Sequence, residues 1–264
     1  MVRQNQGTVF RLAAGATSIT TLASFTGPNG SMPYAPLVLD KDGNLFGTAS
    51  TGGTNGRGTI FKVAAGTNAV STVANFTNTT GYTPNGGLLL DDAGNLYGTT
   101  VNGGRGSGNV FRIDAGTSTI TSIAEFGFGN PNPANPYSGL IMDAVGNLFG
   151  TTFSGGTSNN GTIFRIDAGT NAIVTLASFS GQPEGRGPYN AEGLVADAKG
   201  NLYGTTWRGG SINRGTVFRL SDAGFVTAAA AVPEPASWAM MMIGFGLLGG
   251  NLRRRRHSGI AVAA

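Results

Sequence analysis

A single histidine, His257, is the chain's whole supply of imidazole, and there is no cysteine. The residues before it hold no imidazole base, no histidine metal ligand and no Ser-His-Asp or Cys-His arrangement. Disulfides and thiolate metal sites are excluded as well. Carboxylates are what remains for acid–base work, and a pair of acids is the machinery of glycoside hydrolysis. Asp40, Asp91, Asp143 and Asp197, however, recur at one equivalent place along the chain, whereas catalytic groups occur once. Each stands three residues before a glycine, which is turn chemistry: the carboxylate accepts backbone N–H groups while the glycine takes a positive φ. Glu125, Glu184 and Glu192 fall outside that pattern.

Glu184 shares the longest insert, Ser180–Asn190, with Arg186, and such inserts carry binding surfaces. Trp207-Arg208 is an aromatic–basic pair in a glycine-rich loop; it offers a sugar platform, although rim packing explains a tryptophan there too. Trp207, Arg208, Glu184 and Arg186 are therefore the candidate ligand contacts, with no catalytic set, cofactor or metal site expected. Asp40-Lys41-Asp42-Gly43-Asn44 begins like a calcium loop, but Thr51 stands where that loop needs its closing glutamate. Arg11, Lys62, Arg112, Arg165 and Arg219 share one equivalent position. They either form a ring for an acidic polysaccharide, or each pairs with a repeat aspartate or lies along a strand edge.

The elements that must hold these residues are set by a repeat of about 50 residues. The block GTVFRL at Gly7 returns in related form at Gly58, Gly108, Gly161 and Gly215. GNLFGT or GNLYGT starts at Gly43, Gly94, Gly146 and Gly200. A third block closes on Phe25, Phe76, Phe126 and Phe179, and a fourth ends on the four aspartates. Each block is short, rich in Val, Ile, Leu, Thr and Phe, and bounded by Gly, Asn or Asp, and so reads as a strand. No stretch of the body keeps a helical apolar period. With 45 glycines and 11% charged residues, the chain is one of tight turns between strands. Four strands per repeat predict an all-β, β-propeller-like fold of about four four-stranded blades, spanning residues 1–220. Sheets packed on both faces explain near-continuous apolar runs such as GLLLD.

The Gly-Asn hairpins follow apolar strands as they do in NHL-type propellers, which the local pattern resembles. That likeness phases Pro36–Asp40, Gly87–Asp91, Gly139–Asp143 and Gly193–Asp197 as the innermost strands. Residues 7–25 are then the outer half of a blade. The opening MVRQNQGTVFRLAAG carries no apolar core of signal-peptide length. Two readings follow: a closed four-unit ring with a surplus strand pair, or a natural chain with further blades and a signal peptide upstream. The surplus pair and the missing signal together favour the second.

The net charge of +4 is not a property of the body, because Arg253, Arg254, Arg255 and Arg256 supply four positive charges in one run. A near-neutral body has no electrostatic footprint for nucleic acid. Residues 221–232 read as a linker with room for one weak strand. Beyond it, the uncharged run from Pro235 to Leu252 is just long enough to span a bilayer as a helix through residues 236–252. Trp238 sits at one end as an interfacial aromatic, and the four arginines at the other predict a cytoplasmic C-terminus with residues 258–264 as its tail.

Pro233-Glu234-Pro235, the following Trp238-Ala239, the apolar run and the arginine cluster resemble a PEP-CTERM sorting signal over residues 233–257. The resemblance implies processing by an exosortase, transit anchored in the inner membrane, and a final place at the cell surface or outside a Gram-negative cell that makes exopolysaccharide. The body, with GGTNGRGTIFKV and DDAGNLYGTTVNGG, resembles the GloVer tandem repeat, a family with variable C-terminal anchors and no established activity to carry over. The expected function is an exported surface or matrix module that binds or supports structure, with exopolysaccharide as the partner in view. The alternative is a carbohydrate-active hydrolase or lyase. A non-repeated cluster of acids or tyrosines converging on one end of the channel would favour the enzyme; only repeated polar positions there would favour the scaffold.

Overall fold

A computed structural model of the chain describes residues 6–127, 132–189 and 193–227. The sorting tail and Glu192 lie outside the described residues. What is described is all β. β1 (Thr8–Arg11) and β2 (Thr20–Ser24) form a two-stranded sheet. Three four-stranded antiparallel meanders follow in chain order. The first is β3 (Val38–Leu39), β4 (Leu45–Ala49), β5 (Thr59–Val63) and β6 (Val70–Asn75). The second is β7 (Leu89–Leu90), β8 (Leu96–Thr100), β9 (Asn109–Ile113) and β10 (Thr121–Glu125). The third is β11 (Ile141–Met142), β12 (Leu148–Thr152), β13 (Thr162–Ile166) and β14 (Ile173–Ser178). A three-stranded sheet of β15 (Val195–Ala196), β16 (Leu202–Thr206) and β17 (Thr216–Leu220) closes the order. Among the described residues no helix is long and apolar enough to cross a membrane.

The strand expected innermost is an edge strand of each meander and only two residues long, because the aspartate hairpin follows it at once. The segments leading into these strands touch from sheet to sheet. A Cβ on Gly86 would stand 2.5 Å from the Ser138 carbonyl, and one on Gly193 2.5 Å from that of Gly139. Thr99 Oγ1 donates to the Ser138 carbonyl at 2.8 Å. Sheets that meet along one edge and fan apart at the other form a propeller-like stack. The outer pairs β5–β6, β9–β10 and β13–β14 carry a register shift at equivalent positions, as does β1–β2; such a bulge adds twist to an outer strand.

The aspartate hairpins lock each blade at one rim. Asp91 Oδ1 accepts Asn95 N–H at 2.8 Å and Oδ2 accepts the Asn95 amide at 2.8 Å, while Asn95 Oδ1 accepts Ala115 N–H at 3.0 Å. One carboxylate therefore ties the β7–β8 hairpin to the turn beyond β9. Asp40–Asn44–Ala65 and Asp143–Asn147–Ala168 repeat the same clamp. At Asp40, Asp91 and Asp197 such bonds favour the ionised acid. The Asn44 side chain, helped by backbone N–H groups, lowers the Asp40 pKa, and its equivalent Asn201 brings Asp197 down to about 2. Burial pushes Asp91 up, but the Asn95 bonds and the Tyr97 hydroxyl outweigh it, so it too is lowered. A carboxyl whose folded pKa lies below its unfolded value adds stability that is complete above the unfolded value and lost as pH falls towards the folded one. Thermal midpoints should thus hold level down to about pH 4 and drop between there and pH 2. The combined Asp40→Asn, Asp91→Asn and Asp197→Asn variant should show a shallower acid slope; an unchanged slope would place the acid sensitivity elsewhere.

Neighbouring sheets are joined by aromatic pairs. The phenylalanine that closes each outer strand meets, edge to face, one in the third strand of the next sheet: Phe25–Phe61 at 4.8 Å, Phe76–Phe111 and Phe126–Phe164 at 5.1 Å, Phe179–Phe218 at 5.0 Å. Leu88, Leu96 and Ile113 complete the first full junction around Ile60 and Phe76, and equivalents repeat at the next two. After β17 the chain turns back: Phe225 packs on Phe149 at 5.0 Å, and Ala144 N–H donates to the Val226 carbonyl.

Candidate functional site

The rim opposite the aspartate hairpins carries the glycine-pair loops and the sheet-to-sheet connections. At each blade the two pair as a short antiparallel bridge: Ser31 with Thr51, Tyr82 with Asn102, Ala134 with Ser154, Arg186 with Arg208. The next connection residue is left-handed every time, at Met32, Thr83, Asn135 and Gly187, with φ of 56–59°. Its carbonyl accepts the N–H of the residue after the second strand of the blade, at Ser50, Val101, Phe153 and Trp207. A proline follows, and its ring lies against the glycine that opens the previous GTVF strand; a Cβ on Gly58 would stand 2.7 Å from Pro84 Cδ. One backbone frame therefore presents two variable side chains per blade. The first reads Tyr34, Asn85, Tyr137, Tyr189, and the second Ser50, Val101, Phe153, Trp207.

Only the last two blades fill both places with rings. Tyr137 packs on Phe153 at 5.5 Å and on Tyr189 at 4.7 Å, and Phe153 lies 6.0 Å from Tyr189. Burial, with Tyr189 alongside, raises the Tyr137 pKa, so its hydroxyl stays protonated and able to donate. Beside this cluster opens a cleft of about 330 Å³ lined by Phe153, Asn159, Asn160, Arg186, Trp207 and Arg208. The Arg208 guanidinium lies 4.7 Å above the Trp207 ring, which is 59% exposed. Arg186 N–H donates to the Arg208 carbonyl at 2.8 Å, and Arg208 N–H to that of Arg186 at 3.3 Å, so the two cations share one bridge. The ion pairs of the described residues lie elsewhere, at Arg105–Glu125, Arg112–Asp114 and Arg165–Asp167.

Three of the four candidate contacts, Arg186, Trp207 and Arg208, thus meet on one cleft. Glu184 stands apart: its carboxylate accepts the Ser180 hydroxyl at 2.7 Å, its carbonyl accepts Thr216 Oγ1, and it stiffens the insert without lining the cleft. The strand-borne cations gather no common ligand. Lys62 lies over Phe46 at 5.4 Å, Arg112 binds Asp114 at 2.6 Å and Arg165 binds Asp167 at 2.5 Å, all towards the opposite rim. A second cavity, of about 420 Å³, lies beside the Arg105–Glu125 pair. Among the described residues no group of three or more acids or histidines is placed to hold a metal.

Phe153, Tyr137, Tyr189 and the two asparagines were not among the sequence candidates. The signal for the rings was there, in the change from Ser50 and Val101 to Phe153 and Trp207 at one frame position. What the repeat alone does not report is that Tyr137 and Tyr189 lie against Phe153.

The model of the Gloeobacter/Verrucomicrobia repeat matches residues 2–218. The chain belongs to that repeat family. Residues 231–256 match the PEP-CTERM protein-sorting motif, which marks the chain of this family member for export through a membrane-anchored stage. No curated protein matches the chain. Among solved structures, one from the nidogen/laminin complex is 18% identical, with a TM-score of 0.50 over 83% of this chain and 74% of its own. The extracellular domain of a B. thetaiotaomicron protein described as a hybrid two component system is 13% identical, with a TM-score of 0.52 over 82% of this chain and 25% of its own. TolB from Acinetobacter baumannii is 15% identical, with a TM-score of 0.48, and the chain spans 45% of it. At these identities the likeness to the first two is one of fold, and the fold is propeller-like.

Proposed function

We propose that this repeat-family member is a non-enzymatic surface or matrix module that binds an acidic polysaccharide in the cleft between its third and fourth blades. The observation that carries the reading is the stacked Trp207–Arg208 pair in one cleft with Arg186: an exposed ring under one guanidinium, a second arginine in the lining, and neither arginine in a described ion pair. A pyranose offers an apolar face to the ring and hydroxyls to Asn159 and Asn160, and a uronate carboxylate suits a planar guanidinium bidentately. The sorting tail supports the setting. Pro233-Glu234-Pro235 and Trp238 give an exosortase its motif, residues 236–252 hold the chain in the inner membrane, and Arg253–Arg256 keep the C-terminus cytoplasmic until the body is passed to the surface.

The test is binding of the full chain, in detergent, to polygalacturonate and to neutral dextran by affinity electrophoresis. Retardation should be confined to the acidic polymer and weaken with salt. Trp207→Ala should cut affinity about 30-fold, the scale of a central aromatic anchor, and Arg208→Gln should remove most of the preference for acid. Equal retardation by both polymers, or indifference to Trp207→Ala, would sink the reading.

A further inference from the structure

Phe153 lines the cleft, and it also touches two rings outside the cleft lining. Its ring lies 5.5 Å from Tyr137 and 6.0 Å from Tyr189, and the two tyrosines lie 4.7 Å apart. Tyr189 is 54% exposed, close to the 59% of Trp207, so both rings keep surface open to solvent. Gly187 holds this arrangement in place. The equivalent connection residues Met32, Thr83 and Asn135 take the same left-handed φ with a side chain, so the backbone does not require glycine here. Space does: a Cβ on Gly187 would stand 2.9 Å from Phe153 Cε2 and 3.2 Å from Cδ2. The ring of the third blade therefore lies against the connection into the fourth, two residues before Tyr189. A ring fixed by its neighbours loses little freedom when a ligand covers it.

The two exposed platforms differ in charge. Trp207 carries the Arg208 guanidinium at 4.7 Å, with Arg186 in the same cleft. Among the described residues the other cations over rings are at Tyr82, Phe46 and Tyr97, and the rings beside Tyr189 are Tyr137 and Phe153. Tyr189 thus offers an apolar face with no described guanidinium over it. The Tyr137 hydroxyl beside it is kept protonated by burial, which suits a sugar hydroxyl as partner. A carboxylate placed on Tyr189 would lose hydration without gaining a cation, whereas an uncharged pyranose meets no such cost. We infer that Tyr189 is a second sugar platform, and that the cleft selects an acidic polysaccharide in which uronates alternate with neutral sugars: a uronate at Trp207–Arg208 and the neutral unit bonded to it at Tyr189. This rests on the polysaccharide reading of the cleft and adds a neutral subsite to it.

The full chain in detergent is titrated by calorimetry, at one salt concentration, with two tetrasaccharides. One is the hyaluronate fragment, in which glucuronate alternates with N-acetylglucosamine; the other is tetragalacturonate, in which every unit is acidic. The hyaluronate fragment should bind about 10-fold tighter although it carries half the charge. Tyr189→Ala should remove that preference while changing the affinity for tetragalacturonate less than about twofold. Tyr189→Phe keeps the ring and should keep the preference. Tyr189→Arg places a cation at the second platform and should turn the preference towards tetragalacturonate. The side chain is exposed, so all three variants keep the fold. Equal affinities in the wild type, or a Tyr189→Ala loss shared equally by both fragments, overturns the neutral subsite and leaves the charged one standing. Failure of both fragments to bind the wild type sinks the cleft reading itself, and this inference with it.

Discussion

Gly98→Ala is expected to destabilise the protein by about 3 kcal/mol, although it adds one carbon at a residue with an ordinary φ. The added Cβ would stand 2.5 Å from Phe111 Cζ and 3.2 Å from Leu88 Cδ2, and neither has room to retreat. Phe111 is fully buried and held edge to face by Phe76 of the preceding sheet at 5.1 Å. Relief on one side therefore pushes on the junction between two blades. Phe111→Ala alone should cost about 3–5 kcal/mol through the cavity it leaves. In that background Gly98→Ala finds the space vacated, and its own cost should fall to well under 1 kcal/mol. Urea unfolding of the two single variants and the double variant gives the coupling directly. Simple additivity would mean that the glycine is kept for some reason other than the ring. Gly127→Ala is the control, since its new carbon meets only the Asn132 amide, at 3.9 Å. A Cβ on Gly47, Gly150 or Gly204 would stand 2.5–2.7 Å from the ring of Phe61, Phe164 or Phe218, so the coupling should recur in every blade.

This pairing also marks how far the sequence could be read. The hairpins were legible because their chemistry is local: an aspartate, a glycine and an asparagine within five residues contain both the donors and the acceptor of the clamp. The strands and the four-strand repeat were legible because a periodic pattern states the same fact several times. The glycine at 98 was visible as part of a strand block, yet its reason lies across the sheet, in a residue thirteen places further on and a ring from the blade before. Linear spacing does not report such contacts. The inner strand read as longer than it is, since apolar residues such as Leu88 and Leu140 look like strand but pack as lead-in segments. The site was half legible for the same reason. Trp207, Arg208 and Arg186 stood out as departures from the repeat, but Phe153, Tyr137 and Tyr189 look like ordinary β residues until the rim bridges place them side by side.

Deleting residues 233–257 should convert the protein from a membrane-fraction species to a soluble one, the largest change in behaviour expected of any alteration outside the body. The uncharged run Pro235–Leu252 would cover roughly 27 Å as a helix, which matches a hydrocarbon core and leaves little to spare. Its glycines weaken it as a soluble helix but are tolerated in a bilayer. In the proposed anchor the four arginines would act as the stop, since each would cost about 2.5–3.5 kcal/mol at the membrane centre. Replacing Arg253–Arg256 with glutamine should therefore keep membrane association but loosen orientation, exposing the C-terminus to protease on the far side in part of the population. The two variants separate anchoring from topology. A deleted protein that stays with the membrane would instead assign retention to the body.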